Sequence, residues 1–316
     1  MGVGKMKKAI AIPIITLFIA AVIFGCVTSP FQKSEPYDLV PSTATSIAIL
    51  SPAALLSDPD FAYFYAKANH NKTIESEFAP LERVTGLQMR NVTGAVLFTM
   101  GTGSGRKTTA FLKGGFDSTG LEQRFRSDAS WSGTDYNGYT VFKKTGEPNA
   151  VTFIDDITVV GEPSAVQAAI DVKKGNLQNV RENVQLSGVL SKLNESADAV
   201  VATTSLGDMP SVLSGAPLNA SFLSGVQASG AHISKRAHDF DVKAVLLTGS
   251  PSDANRIQGS LNTMMGFASL LFAQPGSSLA SIVSKTSIGT DGEYVVITLT
   301  TNVDELKAAE AELDSH

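Results

Sequence analysis

Several stretches carry residue types that could do chemistry, and their spacing decides each case. Gly101-Thr-Gly-Ser-Gly-Arg-Lys-Thr108 has the glycines and the lysine of a phosphate loop. Such a loop needs its lysine directly after the last glycine and a helix N-terminus behind it. Here Arg106 intervenes and residues 108–116 read as strand, so the stretch is expected to be a hairpin turn. The histidines, His70, His232, His238 and His316, fall in no metal-binding spacing, and the lone cysteine has no thiol partner. Gly276-Ser-Ser-Leu-Ala280 only roughly imitates a nucleophile elbow and does not join a strand to a helix. Asp155-Asp156 lies in a tight turn, where adjacent carboxylates point apart and cannot share a metal or a proton. Trp131, Tyr136, Tyr139 and Phe142 could offer a glycan or peptide platform, but aromatics on strands more often pack a sheet face. These patterns supply no catalytic residue, no cofactor-binding residue and no metal ligand. A chain that needs no cofactor is the expectation.

Cys26 is the exception. It ends an apolar run from Ala9 to Phe24, which follows Lys5, Lys7 and Lys8. A positive segment, an apolar run and small residues make an export signal. Ile23-Phe24-Gly25-Cys26 resembles the lipobox of prokaryotic lipoproteins, with an aliphatic residue three places before the cysteine and a small one just before it. Phe24 departs from that pattern, whose middle position is usually smaller. The resemblance implies cleavage before Cys26 and lipidation of its thiol. The other reading is an uncleaved anchor, because Ala9 to Val27 has about the length a membrane-spanning helix needs. Both keep the lysines inside and the body outside. The membrane is thus an expected partner, through an N-terminal lipid or helix, and the outer face of the cell membrane the expected location.

Composition agrees with an exported body. Without Lys5, Lys7 and Lys8, 22 basic residues face 30 acidic ones, a balance of about −8. Nucleic-acid binders neutralise phosphate with basic patches, so nucleic acid is excluded as a partner. One cysteine allows no intramolecular disulfide, and the core must supply the stability. Sequons at Asn71, Asn91, Asn194 and Asn219 are close to what chance gives in a Ser- and Thr-rich chain.

The elements that must position any site are legible in part. Residues 1–26 are the signal or anchor, and 27–45, broken by Pro30, Pro36 and Pro41, read as a linker. A strand at 46–50 is followed by helices at about 59–69, behind Ser57-Asp58-Pro59, and 74–84, ending at Gly86. Strands follow at 92–100 and 107–116. A helix to about Ala129 opens on a capping box, Thr119-Gly-Leu-Glu122. Strands at 139–144, 150–154 and 157–161 precede a helix from Pro163. The second half reads alike. Strand 199–204 and a short helix at 208–213 come first, then a hairpin of 225–235 and 239–248. A long helix follows from Ser250, then strands at 282–288 and 294–300, and a last helix capped by Asn302. This predicts an α+β fold of two β-α-β-β-α-β-β-α repeats, at 46–180 and 186–316. Mainly antiparallel sheets would carry helices on one face.

Met264 to Ala273 is the most apolar stretch of the body and too short to span a bilayer. It predicts a helix end buried between the repeats, so that Leu270→Asp should be severely destabilising. A groove there is the expected place for a small-molecule, glycan or protein ligand.

The whole chain resembles uncharacterised archaeal cell-surface lipoproteins, on the strength of Ile23-Phe24-Gly25-Cys26 and the strand-to-helix segment from Ile157 to Ile170. That resemblance implies a lipidated, membrane-anchored protein with a duplicated α+β body, and no catalytic residue comes with it. The expected function is a non-catalytic binding or envelope-interaction module outside the cytoplasm. The alternative is an extracytoplasmic hydrolase whose site is assembled from distant residues.

Overall fold

The computed structural model describes residues 36–68, 73–205, 223–274 and 276–314, which divide into one unit up to Ser187 and another from Gly188. The first contains β1 (Ala44–Leu50), α1 (Pro52–Ser57), α2 (Pro59–Ala68), α3 (Ile74–Thr85), β2 (Val92–Met100) and β3 (Lys107–Gly114). It continues with α4 (Ser118–Ser127), β4 (Trp131–Tyr136), β5 (Tyr139–Lys144), β6 (Ala150–Ile154), β7 (Ile157–Gly161) and α5 (Pro163–Lys173). Helix α6 (Val184–Ser191) runs across the division. The second unit adds β8 (Ala199–Thr203), β9 (Val226–Arg236), β10 (Asp239–Thr248), α7 (Pro251–Leu271), α8 (Ser278–Lys285), β11 (Ser287–Asp291), β12 (Tyr294–Asn302) and α9 (Val303–Asp314).

The strand order in the first unit is β1-β2-β3-β7-β6-β5-β4, and in the second β8-β9-β10-β12-β11. Every register within these runs is antiparallel. The fold is therefore α+β with extensive antiparallel sheet, as the alternation of strands and tight turns suggested.

Helices cover both faces of the sheet in each unit, where the sequence predicted one. In the first, Gly133 pairs with Phe142 and Phe153 with Thr158, which sets Phe142 and Phe153 on one side under Phe125 of α4. Tyr136 and Tyr139 point to the other side, toward Asp171 and Lys174 at the end of α5. Strand β7 is consequently buried along its whole length. In the second unit β12 buries Val295, Ile297, Leu299 and Thr301 on the side of α7, α8 and α9. Gly230 of β9, on the opposite side, lies under Val189 and Leu193 of the α6 segment.

Strand β4 and helix α1 were not expected, and other boundaries differ as well. Residues 36–45 belong to the body and are not tether: Leu39 and Val40 are buried, and Val180 N–H donates to Val40 O at 2.7 Å. The segment 278–285 is helix where 282–288 read as strand, because Ser277 caps it and Leu279, Ile282 and Val283 share its buried face. Asp117, not Thr119, caps α4, its carboxylate accepting from Gly120 N–H at 3.0 Å. The short helix expected at 208–213 lies outside the described residues.

Candidate interaction site

Cys26, the lipidation candidate, lies outside the described residues, as do His70, His316, Asn71 and Asn219. The other stretches can be placed. Residues 101–106 form the turn between β2 and β3; at Gly101, φ is +75° and a Cβ would lie 2.8 Å from Gly105 O. Asp155 and Asp156 part company: Asp155 pairs with Lys173 at 2.6 Å and Asp156 with Lys113 at 3.1 Å. Ser277 Oγ caps α8 and donates to Glu312 Oε1 at 2.6 Å, an anchoring role. Trp131 stacks on buried Phe125, with ring centroids 4.4 Å apart, and Phe125 in turn meets Phe142 and Phe153. That column is the packing of α4 on the sheet.

Glu305 gathers three side-chain donors. It receives bonds from Ser281, from Lys285 at 2.5 Å and from Thr301 at 2.6 Å. Burial opposes its ionisation, yet these donors hold its pKa below the usual carboxylate range. All of its partners belong to α8 and β12, so the cluster ties α9 down. Among the described residues no group of three or more His, Cys, Asp or Glu is placed to hold a metal ion, and no helix is long and apolar enough to cross a membrane.

His232 is different. Its Nδ1 accepts from Asn194 N–H at 2.9 Å, and burial, with Lys243 beside it and against the pull of Asp241, pushes its pKa down to about 4. The ring is half-buried on β9.

The largest departure concerns α7. Its inner face is Ala254, Ile257, Leu261 and Ala268, followed by Phe272. Phe267 and Leu270, one turn apart on the outer face, are 58% and 76% exposed. Burial of the whole Met264–Phe272 stretch is therefore overturned, and Leu270→Asp is expected to change unfolding stability by no more than about 0.5 kcal/mol, as for other surface changes. Urea denaturation checks this; a loss of several kcal/mol would mean the side chain is covered.

No protein-family model matches the chain, and no curated protein matches it. Solved structures do. Crystal form I of TP0453, a spirochete protein, is similar over 89% of this chain and 98% of that one, at 14% identity and a TM-score of 0.48. Crystal form III covers 89% and 99%, at 12% identity and a TM-score of 0.45.

Proposed function

We propose that this chain is a membrane-anchored extracytoplasmic protein that serves as a binding or envelope-interaction module. The observation that carries the reading is the exposed pair Phe267 and Leu270 on α7. Covering a large apolar side chain is worth roughly 1.5–3 kcal/mol, so two left adjacent in water form a surface that gains by meeting a partner. The anchor in this reading is Cys26, at the end of the apolar run that follows Lys5, Lys7 and Lys8.

The same proposal includes a duplicated, archaeal-type surface lipoprotein body. What supports duplication is the strand order: in each unit the first three strands run side by side, then the last strand, then the one before it. The first unit differs by the added hairpin β4–β5 at its edge.

Mass spectrometry of the mature N-terminus tests the anchor. Residues 1–25 should be absent and Cys26 should carry a lipid, and Cys26→Ser should block maturation. An intact Met1 to Gly25 would assign a helical anchor instead, and an unlipidated body released from the cells would overturn both.

A further inference from the structure

We propose that His232 is an acid-sensitive latch for the end of α6: its neutral ring holds the turn at Asn194 on β9, and protonation releases that turn. Helix α6 rests directly on the strand. A Cβ at Gly230 would lie 2.5 Å from Val189 Cγ1 and 2.9 Å from Leu193 Cδ1. His232, two residues along on the same side, continues the contact by accepting from Asn194 N–H. An Nδ1 that accepts leaves the ring hydrogen on Nε2. A second proton would have to enter at Nδ1, where the Asn194 N–H already points. The ring would then present a donor to a donor, and the bond cannot survive.

The surroundings set the pH at which this occurs. Across β10, Lys243 is the register partner of His232 and opposes protonation, while Asp241 favours it and is itself held by Thr300 Oγ1 at 2.7 Å. On β8 the partner is Val200, which carries no charge. The turn itself brings Lys192 and Glu195, and Lys192 pairs with Asp291 of β11 at 2.7 Å. The bond from Lys192 holds the pKa of Asp291 below its ordinary value, which favours the ionised pair while the imidazole titrates. The folded state resists a proton that the unfolded chain accepts at the ordinary value of 6.5. Stability from this contact is therefore complete above about pH 6.5 and is lost as the pH falls toward about 4. The release frees the turn 193–197, and with it the lid over Gly230.

Histidine ring nitrogen NMR and amide exchange on the full chain in detergent test this between about pH 7 and pH 4. Nδ1 should be unprotonated near neutrality. Exchange at Asn194, relative to its intrinsic rate, should rise on the order of tenfold or more as Nδ1 takes its proton, since one pKa unit corresponds to tenfold. In His232→Asn, whose side-chain oxygen can accept at the Nδ1 position without titrating, protection at Asn194 should stay level. The same rise in His232→Asn and in the parent would overturn the proposal. So would a ring that titrates near its ordinary value while Asn194 is unmoved. If the variant does not fold, the parent decides alone: proton entry at Nδ1 in step with Asn194 exchange supports the latch, and entry without it overturns it.

Discussion

Replacing Phe111 with alanine is expected to destabilise the first unit by about 3–5 kcal/mol, the usual range for a buried phenylalanine. Phe111 is fully buried in β3, paired in register with Val96 on one side and Val159 on the other. Its ring meets that of Phe98 at 5.2 Å, so truncation strips contacts from a second aromatic as well. The central position of β3, between β2 and β7, leaves little freedom for the sheet to close over the gap. Urea unfolding followed by a probe in the first unit would measure the change. A loss below about 1 kcal/mol would mean that the site collapses freely.

Gly161→Val is expected to be at least as damaging, through overlap where Phe111→Ala leaves a void. Gly161 ends β7, in register with Thr109 of β3 and Ala150 of β6. A Cβ there would lie 2.4 Å from Thr108 O and 2.6 Å from Thr109 Cα. Both are backbone atoms of a paired strand, which cannot swing away as a side-chain tip can. Relief requires β3 and β7 to part, and a loss on the order of 3 kcal/mol or more follows, at the upper end of overpacking penalties. Gly115→Ala is the control. Nothing lies within 4 Å of its Cβ position, so it should be neutral or slightly stabilising through the stiffer unfolded chain. A folded, fully stable Gly161→Val protein would mean that the two strands are not packed as described.

The elements that declared themselves in the sequence are those with local chemistry at their ends. Asn302 was visible as the cap of α9, and its side chain accepts from Glu305 N–H at 2.8 Å. Ser250 likewise caps α7, accepting from Asp253 N–H at 3.1 Å. Strand β4 was missed because only Trp131 and Tyr136, at its two ends, are half-buried and the four residues between are exposed. An edge strand of this kind has no apolar alternation to read. The signal that could have found it is Asn137-Gly138, both with positive φ, the pair favoured in a two-residue hairpin turn.

The outer face of α7 was also within reach. Continuing the spacing of Ala254, Ile257 and Leu261 by helical periods leads to Ala268 and Phe272, leaving Phe267 and Leu270 outside. Reading the stretch as uniformly apolar hid that phase. His232 was not within reach, since its partner Asn194 is 38 residues away and the contact exists only once α6 lies on β9.

The carboxylates of α9 have a consequence for the order in which the chain becomes structured. Glu312 accepts from Ser277 Oγ and from Leu279 N–H, and Glu305 gathers Ser281 and Lys285, so α8 is held by a helix that follows it in the chain. A ribosome or an export channel delivers the N-terminal end first. Until residues 303–314 have emerged, α8 lacks both carboxylates, and its apolar face of Leu279, Ile282 and Val283 lacks the cover of α9. The first unit can mature on the emerging chain, whereas the second must wait for residues 303–314. Truncation before residue 303 would thus cost far more than the helix it deletes.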